Sequence, residues 1–403
     1  MAAALLLAWA APLRGQQALV LPDPGSTVVA LSVDLNAGGI WDPAPQAGLS
    51  RLAGEALLEA LRPQLRSLGA GGRLECERFG LRLTLLAPPS TWRAAADMFL
   101  DAIFHPAVQA EALDTARARL QRSLRFQEGD PAAEIRTAAY DAFFGEGHRW
   151  ARGPCGSAET LDSVTLEAAQ SAVDARFEAG RASAALVGPV DRREAEAVLL
   201  RVFREPRPPT RLPLPDPAPL PGARDVETPT ITSWIAVVFP LPREPDDEAT
   251  RLLAQHVLEG VRPGPGHSSV VDASVEVERF GGGGALLVYV VADPASARDW
   301  VDRVRVLVDS AGATALDPGR FELLRKRYRG ARLLSLATPE ARAGDAADRL
   351  LFEHVYEWPV RRIDTLTAER LRAAAAALGP PATAYLGPIP GGTASLDRRP
   401  ARP

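Results

Sequence analysis

Histidine is scarce in this chain of 403 residues: there are five, His105, His148, His256, His267 and His354. That is a thin supply for a metal enzyme. An excess of one charge is missing too. The 46 Lys and Arg against 50 Asp and Glu leave a formal net charge of −4, with no basic surplus to bind nucleic acid. Beyond the N-terminal leader no apolar run approaches the ~18 residues that a membrane-spanning helix needs. Cysteine is reduced to Cys76 and Cys155. These form either one disulfide or two independent buried thiols, and the sequence leaves both open.

What is present describes a folded globular chain, 46% apolar and 24% charged. Its length is too great for one ordinary core and calls for two or three domains. The N-terminus, from Met1 to Pro12, is apolar and rich in small residues. It is similar to a secretory signal, with cut points after Ala10 or near Gly15-Gln16, although a basic n-region is missing. Residues 1–17 are therefore read as a leader, and the protein as exported, periplasmic in a bacterial cell.

The first strong element is the stretch from Gly48 to Leu61. Leu49, Leu52, Ala53, Ala56, Leu57, Ala60 and Leu61 recur at the spacing of one buried helical face. Arg51 and Glu55 stand four apart, within ion-pair reach. A strand over residues 28–36 precedes this helix. A second over residues 74–86 follows it, interrupted by a bend or bulge at Gly80. Ser90 or Thr91 caps a helix over 92–104, and further helices cover 109–127 and 132–144. A buried strand at 184–188 and a helix at 192–203 close the unit. Prolines then crowd residues 204–221, an extended linker. Beyond it the order strand, helix, strand pair, helices, strand recurs, which is a duplication at domain scale. The expected domains are therefore 18–203 and 222–390, with a tail at 391–403. The fold class is α+β: two tandem homologous domains, each a mostly antiparallel sheet with helices packed on one face.

Several strings resemble the insulinase/pitrilysin family of zinc peptidases, in particular its two-domain branch related to mitochondrial processing peptidase. They are Leu21-Pro22-Asp23-Pro24, Ala47-Gly48-Leu49, Phe104-His105-Pro106, Gly129-Asp130-Pro131, the run from Gly156 through Ser157 and Thr160 to Leu161, and Ala185-Leu186-Val187-Gly188. The resemblance implies H-x-x-E-H on the helix after Gly48-Leu49, with two histidines on zinc and a glutamate as general base. Here Arg51, Gly54 and Glu55 occupy those positions. The third ligand, a glutamate in active members, falls near Ser123, with no acidic residue between Asp114 and Glu128. A guanidinium cannot ligate a metal and glycine cannot move a proton.

An arginine and tyrosine that hold substrate in active complexes fall, by the resemblance, on Glu276 and Gly283. A shifted register offers Arg279 and Tyr289 at the wrong spacing. Gly281-Gly282-Gly283-Gly284 lacks the Lys-Ser/Thr of a phosphate loop and reads as a hairpin turn. By analogy with the non-catalytic processing subunit, it is a candidate peptide-contact loop.

The resemblance thus implies a non-catalytic subunit without a cofactor of its own. Zinc is expected in an active peptidase partner forming a heterodimer with it, and unfolded peptides are the expected substrate. Two alternatives stand beside this: a self-sufficient peptidase using unconventional residues, and a homodimeric envelope scaffold like the core subunits of the respiratory cytochrome bc complex.

Overall fold

The computed structural model describes residues 13–14, 17–78, 80–153, 155–204, 219–280, 283–353, 355–357 and 359–388. Most of the expected leader lies outside these residues, as do positions 205–218 of the linker, the tail, Gly281, Gly282 and His354. The leader expectation reaches Gln17, which is described: it is buried and its amide donates to the carbonyls of Ala179 and Ala182.

In the first half of the chain the strands are β1 (Leu13–Arg14), β2 (Ala18–Pro22), β3 (Val29–Leu35), β4 (Gly71–Cys76), β5 (Leu81–Ala87) and β6 (Ala182–Gly188). Its helices are α1 (Leu49–Ser67), α2 (Trp92–Phe104), α3 (Ala110–Phe126), α4 (Pro131–Phe144), α5 (Ala158–Asp162), α6 (Leu166–Arg176) and α7 (Arg192–Leu199). The second half contributes β7 (Ala223–Glu227), β8 (Ser233–Leu241), β9 (Val270–Phe280), β10 (Gly283–Ala292), β11 (Val355–Tyr356) and β12 (Ala382–Gly387). Its helices are α8 (Asp247–Val261), α9 (Ala297–Ala313), α10 (Pro318–Ser335), α11 (Pro339–Phe352), α12 (Pro359–Asp364) and α13 (Ala368–Ala376).

The fold is α+β, with two five-stranded sheets that carry helices. The strand orders are β2-β6-β3-β5-β4 and β7-β12-β8-β10-β9. Both follow one rule: first, last, second, fourth, third strand of the sheet. In each sheet one edge pair is parallel, β2 with β6 and β7 with β12, and the other pairs are antiparallel. The expected single strand over 74–86 is instead a hairpin. Glu77 N–H bonds to the Gly80 carbonyl at 2.8 Å, closing a turn that lets β4 fold back on β5. The short edge strands β2 and β7 have no alternating pattern strong enough to announce them, since a parallel partner supplies their order.

The chain divides into two compact units that do not follow the chain continuously. One gathers Met1–Glu128, Arg152–Pro215 and Arg325–Thr365; the other gathers Gly129–Ala151, Asp216–Leu324 and Leu366–Pro403. Hence α4 belongs with the second sheet and α11 with the first. Each is the third helix after the fourth strand of the sheet that its half builds, so the equivalent helix is exchanged.

In the first unit, β3 and β6 are buried along their whole length. Val29, Leu31, Val33 and Leu35 join the core built with α1, α2, α3 and α6. The opposite face, which the sequence pattern left without helices, packs on α11. There Ala30 and Val187 meet Ala343, while Ala185 meets Ala346 and Ala347. Small residues on α11 let it approach closely, and polar groups between them are satisfied. Ser183 Oγ donates to the Ala347 carbonyl at 2.6 Å, and Ser32 Oγ to Asp34 at 3.0 Å. Arg82 grips Asp34 through two nitrogens at 3.0 and 2.6 Å and lies over Gly344.

In the second unit, α4 covers its sheet with aromatic rings instead. Phe144 stands 5.2 Å from Phe280, and Trp150 also 5.2 Å from Phe280. Arg136 of α4 binds Glu276 at 2.7 and 2.8 Å and lies over the Tyr289 ring.

Breaking a buried ion pair from one side strands the other charge. Asp34→Ala should therefore lower stability by about 3 kcal/mol, read as a lower urea midpoint. Asp34→Asn keeps shape and one acceptor and should lose clearly less. Equal losses from the two variants would exclude the ion pair as the cause.

Candidate functional site

Helix α1 starts without a capping side chain of its own. Gly48 holds the N-cap position with φ at +89°, a left-handed conformation that suits glycine. The cap comes from Asp42. Its carboxylate accepts from the Gly48 and Ser50 backbone N–H groups at 3.1 and 3.2 Å, and from Ser50 Oγ at 2.6 Å. Arg176 of α6 reaches the same carboxylate at 2.7 Å and donates to the Trp41 carbonyl at 2.9 Å. The Asp42 side chain is fully buried, and burial pushes its carboxyl above the usual range against the opposing pull of Ser50 and Arg176.

This frame fixes where the residues that the resemblance sets against the zinc motif lie. The predicted stripe is buried at Leu49, Leu52, Ala53, Ala56, Leu57 and Leu61, and the helix runs on through Pro63 to Ser67. The positive charge of Arg51 favours the thiolate of Cys155. Gly54 faces β4: a Cβ placed there would stand 2.5 Å from Leu74 Cδ1 and 3.5 Å from the Phe177 ring. Leu74 fills the space that a side chain at 54 needs. Glu55 is buried, and its carboxylate takes a 2.7 Å bond from Arg119 of α3 in place of the Arg51 pairing that the spacing allows. Arg119 also lies 3.9 Å from Glu59, which holds Arg62 at 2.9 Å. Ser123 is exposed on α3, one turn beyond Arg119. Arg119 was not among the residues singled out from the sequence; its one signal is an arginine four residues before the expected third-ligand position.

These side chains do not fit zinc. Glu55 is the single carboxylate at the motif, and a guanidinium already neutralises it. Among the described residues, no group of three or more His, Cys, Asp or Glu could hold a metal ion. The histidines are dispersed. His105 pairs with Asp101 at 2.9 Å on the surface, His148 stacks on Phe144, and His267 meets the Trp300 ring edge-on. Burial lowers the pKa of His256 on α8.

The residues at the expected substrate-holding positions are engaged within the second unit. Glu276 binds Arg136, Arg279 binds Asp247, and Tyr289 lies under Arg136. Of the four-glycine run, Gly283 and Gly284 open β10 and pair with Phe280 and Arg279. A Cβ at Gly284 would stand 2.5 Å from the Glu278 carbonyl oxygen, so this hairpin needs glycine there.

Cys76 ends β4, Cys155 lies against the start of α1, and neither is in a disulfide. The influence of Cys76, with the positive charges of Arg51 and Arg78, brings the Cys155 thiol down to about 6, while Cys76 is pushed well above the usual thiol range.

No protein-family model matches the chain, and no curated protein matches it in sequence. Solved structures do. A peptidase M16 inactive domain from Pseudomonas fluorescens superposes with a TM-score of 0.78 at 17% identity, covering 93% of this chain and 96% of that one. A chain of complex III2 from Candida albicans, with Inz-5 bound, gives 0.76 at 11% identity over 94% and 96%. A protease from Helicobacter pylori gives 0.75 at 12% identity over 93% and 97%. The chain therefore has the fold of the M16, insulinase-like peptidases along nearly its whole length.

Proposed function

We propose that this protein is a non-catalytic, insulinase-like subunit that supports an active zinc peptidase of the same fold and helps it hold unfolded peptides. The observation that carries the reading is Leu74 in the space beside Gly54, with Arg119 on Glu55. Where the resemblance expects a base and a metal ligand, this chain has a packed leucine and a closed ion pair. The similarity to an M16 inactive domain is consistent with this. Peptide holding is supported by the sheet edges. Strands β4 and β9 each have one neighbour in their sheets, and an edge strand offers backbone groups to an added strand. The leader-like N-terminus directs the search for the partner to exported proteins.

The purified chain alone is expected to bind no stoichiometric zinc and to leave unfolded peptides intact. Co-expression with an active paralogue of the same organism is expected to yield a complex that cleaves them. Zinc-dependent cleavage by the lone chain, or no complex with any such paralogue, would overturn the reading.

A second expectation concerns the filled slot. Gly54→Glu must displace Leu74 and bury a carboxylate without a partner, so it should destabilise by about 2–4 kcal/mol. Adding Leu74→Ala should recover at least half of that loss, measured by denaturant unfolding of both variants. Additive losses would mean that Leu74 does not govern the space.

A further inference from the structure

Strand β4 is an edge of the first sheet, and the ladder decides which of its backbone groups face outward. The Glu77 N–H bond to the Gly80 carbonyl at 2.8 Å makes those two residues a hydrogen-bonded pair. Such pairs alternate along an antiparallel ladder. Gly71, Arg73 and Glu75 therefore bond to β5, while Gly72 and Leu74 turn their N–H and C=O groups to the edge. The Asn36 N–H bond to the Arg181 carbonyl at 3.1 Å, carried across β3 and β5, fixes the same alternation from the other side of the sheet. Among the described residues, Gly72 and Leu74 have no backbone bond outside that ladder. Side chains alternate as well: Gly72 and Leu74 face α1, whereas Gly71, Arg73 and Glu75 are exposed on the opposite face. Arg73 lies 2.9 Å from Glu75 and 2.9 Å from Glu340 of α11.

We propose that β4 joins β4 of a second copy of this chain, antiparallel across a twofold axis at Leu74, so that two five-stranded sheets become one. Both members of a bonded pair must point outward, so the axis matches even positions with even and odd with odd. Centred on Leu74, it sets Leu74 against Leu74, Gly72 against Cys76, and Arg73 against Glu75 in both directions. The charged pairs then occupy positions that are not hydrogen-bonded, where facing side chains come closest. Within one strand Arg73 and Glu75 start about 7 Å apart, so each gains a nearer partner across the axis. Two arginines and two glutamates alternate around it.

Charge also selects this register over its neighbours. Centred one residue earlier, Arg73 faces Arg73; centred one residue later, Glu75 faces Glu75. Nothing else on β4 guards the edge, since the strand carries neither proline nor bulge. A Cβ at Gly71 would meet nothing, so the approach to the start of the strand is open. The edge strand β9 of the second sheet differs. Its acids Asp272, Glu276 and Glu278 all hold even positions and Arg279 an odd one. No twofold register brings that arginine to an acid, and acids face only one another or uncharged residues. Strand β9 thus stays open to peptide, and the inference does not depend on the proposed subunit role.

The test uses the full chain alone. Sedimentation at rising concentration should show the mass moving from one chain toward two, with hydrogen exchange of the Leu74 amide slowing as the dimer fills. Arg73→Glu and Glu75→Arg should each weaken self-association by about tenfold or more, because each sets like charges all around the axis. Mixed in equal amounts, the two variants should associate as the unaltered chain does, since every facing pair is then opposite in charge again. A chain that stays monomeric at near-millimolar concentration would overturn the proposal. So would a dimer indifferent to both substitutions, or one in which Leu74 exchanges as fast as in the monomer. If an unfolded peptide slows that amide in a chain that remains monomeric, β4 is a peptide edge and the proposal falls. Mass and exchange are read on the unaltered protein, independently of how the variants fold.

Discussion

The carboxylate of Asp42 is the point from which the first unit is best understood. A charge without solvent contact persists in a protein only when donors surround it. Here they are two backbone N–H groups at the start of α1, the Ser50 hydroxyl and the Arg176 guanidinium. Together they decide where the helix begins, because the N-terminal turn has no cap of its own. Once that turn is fixed, Gly54 is aimed at Leu74 and Glu55 at Arg119. The approach of Cys155 and Gly156 onto Ala47 and Gly48 follows from the same turn, since a Cβ at either glycine would collide with backbone.

The two sheets share one strand order but bury their second faces by different chemistry. The first sheet meets α11 through alanines and glycine, and pays for Ser32, Asp34 and Ser183 with specific hydrogen bonds and Arg82. The second sheet meets α4 with Tyr140, Phe143 and Phe144, grouped with Trp150 and Phe280. Polar satisfaction gives direction and register, while aromatic packing gives area. A duplicated architecture can thus tolerate wide divergence, provided each exchanged helix matches the face it covers.

Local periodicity made much of this legible. The stripe of α1 and the limits of α2 follow from the spacing of apolar residues and from Thr91, although Thr91 spends its hydroxyl on the Leu68 carbonyl instead of its own helix. The caps at Ser157 and Thr165 likewise lie where short polar side chains precede helices, whereas Asp130, which the sequence offered only as a helix stop, caps α4. What escaped was long-range. Nothing near α4 or α11 in sequence says which sheet each will cover, and β2 and β7 are ordered by partners far along the chain. At the site, Arg51, Gly54 and Glu55 could be read from the motif. Arg119 could not, because its meaning depends on α3 lying beside α1.

Gly54 and Glu55, which the resemblance sets against a zinc motif, form a packed state in their own right. An absent ligand alone would leave a cavity or a stranded charge, either of which costs stability. Here Leu74 occupies the volume beside Gly54, and Arg119 supplies the positive charge that a buried Glu55 requires. The two adaptations lie on different elements, β4 and α3, so no single substitution on α1 undoes both. Glu55→His would remove the partner of Arg119, and Gly54→Glu would displace Leu74, so each change toward H-x-x-E-H is uphill on its own.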